Sequence, residues 1–374
     1  MRLIAFYLPQ YHPIPENDAW WGKGFTEWTN VSKARPLFRG HYQPHLPGDL
    51  GFYDLRLEET REHQAELARE YGIYGFCYYY YWFDGRKLLE RPLNDVLRLN
   101  RPDFPFCICW ANEPWTRNWD GKHLEILMPQ SHTPDSDEAF IQDVIPLFED
   151  PRYIRIDGRP LLLVYRTGLL PNIGRTADVW REAAFRRGLD LYLCRVESFS
   201  TADPADIHFD AACEFPPNFV GVNPEAEQKA DLCAGCDPPF KGNIYDYEKL
   251  VRLLAQRPDP GYKRFLGATP SWDNTARAGT RGSVFINSSP DQFRRMLTVA
   301  LRKTAERFRG DERIVFINAW NEWAEGCHLE PDRRYLHGFL EACKQALAQA
   351  NGEFGAHAAG AAEMWESYLP YGVL

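Results

Sequence analysis

The chain has 374 residues, 44% of them hydrophobic, and a formal net charge of −9. That is enough apolar material for a sizeable core, and the acidic balance, with no strongly basic stretch against it, argues against nucleic acid as a partner. No apolar run reaches about 18 residues, so no membrane-spanning helix is expected, and Met1 leads directly into the apolar run 3–8 without the basic region and small-residue cleavage site of a secretory leader. The nine cysteines are an odd number scattered through apolar strings, as at Cys77, Cys107, Cys109 and Cys194, which reads as reduced thiols in a cytoplasmic protein.

In chain order, short runs rich in β-branched and aromatic residues recur: LIAFYL (3–8), IYGFCYYYYWF (73–83), PFCICWA (105–111), PLLLVY (160–165), LDLYLCRV (189–196), DAACEF (210–215), KRFLGATP (263–270) and RIVFINAW (313–320). Helical patterns lie between most of them. The clearest covers 293–308, where Phe293, Met296, Leu297, Ala300, Leu301, Thr304 and Phe308 form one stripe of a 3.6-residue period. Ser289-Pro290-Asp291 is its start signal and Gly310 its stop. Segments 56–71, 88–99, 137–149, 176–187, 246–257 and 335–350 are further candidate helices. Near-continuous apolar strands alternating with helices predict a single α/β domain, a (β/α)8 barrel over residues 1–350 with a C-terminal extension over 351–374. No G-x-G-x-x-G follows the first strand to favour an open dinucleotide-binding sheet. Segments 13–50 and 216–243 are too long and too rich in Pro and Gly for plain loops and are expected to be excursions walling a cleft.

In such barrels the active site lies at the carboxyl ends of the strands. Those ends supply Tyr11 and His12; Tyr80 and Trp82; Trp110, Asn112, Glu113 and Trp115; Tyr165 and Arg166; Arg195 and Glu197; Glu214; Trp272, Asp273 and Asn274; and Trp320, Asn321, Glu322, Trp323 and Glu325. Aromatic faces stack on the apolar faces of sugar rings, and carboxylates, amides and guanidinium groups bond hydroxyls. Tyr11, His12, Trp28, Tyr80, Trp82, Trp110, Asn112, Glu113, Trp115, Trp272 and Asn321 are therefore expected to line one glycan pocket. Plainer readings stand beside this one. Glu113 and Glu214 can simply pair with Arg117 and Arg195, and half of the tyrosine run 78–81 belongs to the core because strand side chains alternate. Cys233 and Cys236 form a C-x-x-C with no second pair at zinc spacing. His12 and His328 lack the spacing of metal ligands and are read as hydrogen-bonding groups, so neither a metal nor a cofactor is expected.

Glu322 and Glu325 resist a plain reading. In a continuing strand they would point to opposite faces, and one would enter the core at high cost. If the chain turns helically after Asn321, with Gly326 giving it freedom to do so, both face one mouth. Two carboxylates held close within indole walls should split their pKa values, one staying protonated and the other ionised, as a glycosidase requires.

Nearly the whole chain resembles the WbsX-like family, which is related to glycoside hydrolase family 99, the endo-α-mannosidases. The motifs are AFYLPQYHPIPEND (5–18), GFTEWTNV (24–31), YGIYGFCYYYYWF (71–83), CWANEPWTRNWDG (109–121) and NAWNEWAEGCHLEPD (318–332). The resemblance implies a (β/α)8 barrel and a retaining reaction on an α-mannoside. In it Glu322 would act as base on the sugar's own 2-hydroxyl, which attacks the anomeric carbon to form a 1,2-anhydro intermediate, and Glu325 would be acid, then base. WbsX-like proteins have also been labelled glycosyltransferases of surface-polysaccharide synthesis. Three functions thus stand: a hydrolase or transglycosylase on a mannose-like oligosaccharide or polysaccharide, an O-antigen or capsule glycosyltransferase, and a catalytically silent glycan-binding barrel. Against the transferase, no nucleotide-sugar fold and no D-x-D motif in a plausible strand–loop setting is evident; against the silent barrel, binding alone needs no paired acids.

Overall fold

The structure, a computed structural model, describes residues 1–117, 125–218, 232–233 and 238–356. Eight strands alternate with covering helices: β1 (Arg2–Tyr7), β2 (Ile73–Phe83), β3 (Phe106–Trp110), β4 (Arg159–Val164), β5 (Tyr192–Glu197), β6 (Ala211–Glu214), β7 (Arg264–Ala268) and β8 (Ile314–Ile317). Each pairs in parallel with the next, and β8 pairs with β1, so the sheet closes on itself into a (β/α)8 barrel.

The outer layer is α1 (Glu58–Glu70), α2 (Arg91–Leu99), α3 (Pro134–Phe148), α4 (Ile173–Phe185), α5 (Tyr247–Gln256), α6 (Pro290–Arg307) and α7 (Gly338–Ala356). The alternation is not strict: β5 and β6 are joined by a 3-10 turn, Pro204–Ile207, rather than an α-helix. The stripe predicted on α6 is the face it buries, Phe293, Met296, Leu297, Ala300, Leu301 and Thr304. Ser289 caps this helix by accepting from the amide of Gln292, and Pro290 follows at its first turn. Helix α7 runs to Ala356, past the boundary at 350, and residues 357–374 lie outside the described residues.

Side-chain parity along β2 decides what enters the barrel. Tyr79 stacks on Phe6 with centroids 5.7 Å apart, and Phe6 also meets Phe215 and Phe316 across the interior. Cys77 lies among Cys107, Cys109 and Cys213, where burial, then its thiol neighbours, raises it and keeps it neutral. The alternate residues face the helices: Trp82 packs on Phe140 of α3, and the hydroxyl of Tyr80 donates to Asp143 of the same helix. The seven buried cysteines among the described residues are free thiols. Cys236 and most of the second excursion fall outside the described residues. No described helix is long and apolar enough to cross a membrane. The first excursion holds two short helices, Pro15–Trp21 and Glu27–Lys33, and delivers Glu27, Trp28, His41 and His45 to the loops that follow β7 and β8.

Candidate active site

Beyond β8 the chain makes a two-residue strand, Asn321–Glu322, a 3-10 turn, Trp323–Glu325, and a return strand, Cys327–His328. The return strand pairs antiparallel with the first, Asn321 opposite His328 and Glu322 opposite Cys327. Gly326 closes the turn at φ 59°, in the left-handed region that favours glycine. A Cβ there would also lie 2.9 Å from Cβ of Asp273. The turn places both carboxylates on one cation.

That cation is Arg277. Its Nη2 lies 2.9 Å from Oε2 of Glu322, its Nη1 donates to Oε1 of Glu325 at 2.5 Å, and its Nε donates to Oε2 of Glu27 at 3.0 Å. Glu27 is fully buried, and Asn30 donates to its other oxygen at 3.1 Å. Three carboxylates thus share one guanidinium, leaving the cluster two negative charges in excess if all ionise. Burial pushes the Glu322 carboxyl up; Arg277 pulls it back, and the charges of Glu325 and Glu27 push it up again, leaving it at about 8. Burial likewise raises Glu325 against the pull of Arg277. The two side chains differ in reach: Glu325 is 20% exposed and Glu322 6%.

A polar layer fixes the turn from behind. The amide of Asn321 accepts from the backbone of Leu8 and donates back to its carbonyl, tying the turn to the end of β1. The hydroxyl of Tyr11 donates to the carbonyl of Asn321 and accepts from the amide of Trp323. Buried Glu330 accepts from the indole of Trp323 at 2.6 Å, the hydroxyl of Tyr53 at 2.8 Å and the amide of Gln64 at 2.6 Å. Burial raises its carboxyl to about 7, although these donors oppose the shift. The loop after β7 is locked in the same way. Asp273 takes a 2.6 Å bond from Nε2 of His41 and two from Thr275, and these donors hold it below the usual carboxylate range although burial alone would raise it.

The residues expected to line a glycan pocket divide into groups. Tyr11, Trp28 and Asn321 pack against the turn: Trp28 contacts Tyr11 at 4.6 Å and Trp323 at 5.6 Å. Trp115 meets Tyr81 at 5.1 Å, and Tyr81 is raised by burial and then by the charge of Glu322. Glu113 pairs with Arg166, not Arg117, while Arg166 lies over the exposed ring of Phe199. Tyr165 feels Glu113 and Glu325 together. Asn112 exchanges both amide bonds with the backbone of Arg166, so it staples β3 to β4. His12 is buried, and burial lowers it to about 4, so it is neutral. Trp272 is buried, and its carbonyl accepts from Phe285.

Tyr80, Trp82 and Trp110 do not join this group. Trp110 stacks on Phe140 at 4.1 Å and meets Trp180 of α4, in the layer between strands and helices. The expectation took the wrong parity on β2: Tyr79 and Tyr81 are the residues whose rings feel Glu322 and Glu325. Glu214 pairs with Arg257 and Arg264, and Arg195 with Glu197. Sequence reasoning also passed over Glu27 and Arg277. The signal for Arg277 was charge balance, since two buried acids need a nearby cation and the loop after β7 carries one.

The profile of the family described as Glycosyltransferase WbsX matches residues 3–343. The chain is 47% identical over 349 residues, 93% of its length, to the uncharacterized protein WxcX of Xanthomonas campestris pv. campestris, and two strains give the same figure. The match covers 50% of that protein, so the chain spans about half the length of the curated relatives it matches. Among solved structures, a glycoside hydrolase-like protein aligns at TM-score 0.58 with 15% identity, covering 92% of this chain and 93% of that one. The GH99 endo-α-mannosidase of Bacteroides thetaiotaomicron aligns at TM-score 0.56 with 13% identity, covering 94% and 98%. At these identities the likeness is one of fold. The chain belongs to the WbsX glycosyltransferase family.

Proposed function

We propose that the chain acts on a glycan, cleaving or transferring an α-mannose-like linkage with retention, and that Glu322 and Glu325 are the reacting pair. The observation that carries this reading is the placement of both carboxylates on Arg277 at the end of β8. Both are raised by burial, so near neutral pH the pair keeps a proton while one member stays charged.

The steps follow from reach and proton balance. Glu322, the deeper acid, takes the proton of the sugar 2-hydroxyl. The bond from that oxygen to the anomeric carbon forms as the glycosidic bond breaks, and Glu325 gives its proton to the departing oxygen. A water, or an acceptor hydroxyl in transfer, then attacks the anomeric carbon. Glu325 takes the incoming proton, and the 2-oxygen leaves and recovers its proton from Glu322. Glu325, the more exposed acid, is the one that entering and leaving groups can reach. In the free protein Glu322 is the acid raised to about 8, whereas these steps need the proton on Glu325. A bound glycan supplies the bias: its glycosidic oxygen only accepts and favours protonated Glu325, while its 2-hydroxyl donates to ionised Glu322.

Transfer from a nucleotide sugar is the second reading, favoured by the family's description. A diphosphate needs disengaged cations or amides, and among the described residues Arg277, Arg166 and Arg117 are each ion-paired with glutamates. This supports the glycosidase-type chemistry. The test is a product screen of the purified protein on α-manno-oligosaccharides and bacterial O-antigen fragments, run beside a panel of nucleotide sugars. Cleavage or exchange without a nucleotide sugar is the expected result; turnover only with one would overturn it.

A further inference from the structure

We propose that His45, His328 and Asp332 form a binding site for a divalent metal ion of the zinc class, one that fastens the first excursion to the hairpin carrying Glu322. All three are buried. Nδ1 of His45 lies 3.1 Å from Nε2 of His328, Oδ2 of Asp332 lies 3.9 Å from the same nitrogen, and the three atoms lie within 4.8 Å of one another. Ligands at zinc distances of about 2.0–2.2 Å in tetrahedral array stand roughly 3.3–3.6 Å apart, so closing around an ion takes shifts of about 1 Å.

The hydrogen bonds point the same way. Nδ1 of His328 lies 3.1 Å from the carbonyl of Glu330, which only accepts, so that nitrogen carries the ring's proton. Nε2 then presents its lone pair into the space it shares with Nδ1 of His45 and Oδ2 of Asp332. Oδ1 of Asp332 accepts from the amides of Arg334 and Tyr335, which fixes the carboxylate with Oδ2 toward His328. A ligating imidazole whose other nitrogen is held by a backbone carbonyl, and a ligating carboxylate fixed by amides, are the outer supports that metal sites use. Without an ion, Nδ1 of His45 serves as donor to His328; with one, its proton moves to Nε2 and the Nδ1 lone pair ligates. Arg334, the nearby cation, lies over the ring of Tyr42 at 4.4 Å.

The placement gives the ion a positioning role. His328 stacks under Trp323, inside the turn between Glu322 and Glu325, with centroids 3.7 Å apart, and it pairs with Asn321. His45 belongs to the same excursion as His41, which holds Asp273. Two imidazoles and one carboxylate suit zinc better than a hard oxygen-seeking cation.

The experiment uses the full chain, stripped with a chelator and titrated with Zn²⁺ by calorimetry, with Co²⁺ as a visible probe. One ion per chain is expected, with a four-coordinate Co²⁺ spectrum lacking thiolate charge transfer. Asp332→Asn keeps an oxygen for the two amides, and His45→Gln changes only the excursion; each should weaken binding by more than about 10-fold. No binding by the parent chain, a thiolate spectrum, or unchanged binding in both folded variants would each overturn the site. None of these readouts depends on glycan turnover.

Discussion

The backbone amide of Asp273 donates to the carbonyl of Glu325 at 2.6 Å, so the loop after β7 holds the turn after β8 at the residue expected to exchange protons with the substrate. The contact is this close because Gly326 has no side chain: its would-be Cβ meets Asp273 Cβ at 2.9 Å and Asp273 N at 3.0 Å. Gly326→Ala should combine an unfavourable left-handed backbone with this clash and destabilise the fold by roughly 1–3 kcal/mol. It should also reduce turnover more than Glu330→Gln at matched stability. A variant with parental Tm and activity would show that the turn does not depend on this approach.

The two acids should be separable by leaving group. Glu322→Gln is expected to suppress turnover of every substrate by about 10²–10⁴-fold, because the internal nucleophile is no longer deprotonated. Glu325→Gln should impair oligosaccharides far more than aryl glycosides with good leaving groups, which depart without a proton. Equal slowing of both substrates by Glu325→Gln, with Glu322→Gln unimpaired, would reverse the roles.

The pH profile of kcat/KM should be bell-shaped. The active form of the pair holds one proton. Its upper limb should fall near 8, where the last proton leaves, and its lower limb above the ordinary glutamate value, since burial raises both acids. Arg277→Met removes the cation that opposes these shifts and should move the upper limb upward by roughly 1–3 units. Arg277→Lys, which keeps the charge, should restore most of the parental position. A limb that stays put in Arg277→Met would mean that the guanidinium does not govern the pair.

Stability should carry its own pH dependence. Glu330 is raised to about 7 in the folded chain against an unfolded value of 4.5. Between these values the folded state binds more protons, so Glu330 favours folding at low pH and loses that contribution as pH rises through about 7. Glu330→Gln should flatten the fall in Tm between pH 5 and 8. Glu330→Ala strands the donors of Trp323, Tyr53 and Gln64 and should cost about 3 kcal/mol or more at any pH. Tm curves of the three proteins across that range are the check.

Side-chain parity gives a paired test on one strand. Tyr81→Phe, on the side of Glu322, should lower kcat/KM for glycan. Tyr80→Phe loses only a bond to Asp143 in the helix layer and should leave kcat/KM within about 2-fold while lowering Tm slightly. A larger kinetic effect at Tyr80 would return the pocket to the parity first expected.

The sequence by itself determined the barrel. Eight apolar runs, most of them separated by helical stripes such as that on α6, have few other ways to bury both faces of every strand, so strand positions were legible to within a few residues. It also determined the reacting candidates, because Glu322 and Glu325 stand three apart between indoles and before a glycine, a local pattern that needs no partner to be read. Local pattern stops at the turn. Which face of β2 looks inward depends on barrel closure, and a shift of one residue exchanges Tyr80 and Trp82 for Tyr79 and Tyr81. Glu27 and Arg277 are 250 positions apart, and His45 and His328 are 283 apart. No periodicity links such residues. Only the folding of the first excursion over the loops after β7 and β8 brings them together, and that packing, by removing water from three carboxylates around one guanidinium, gives Glu322 and Glu325 their raised pKa values.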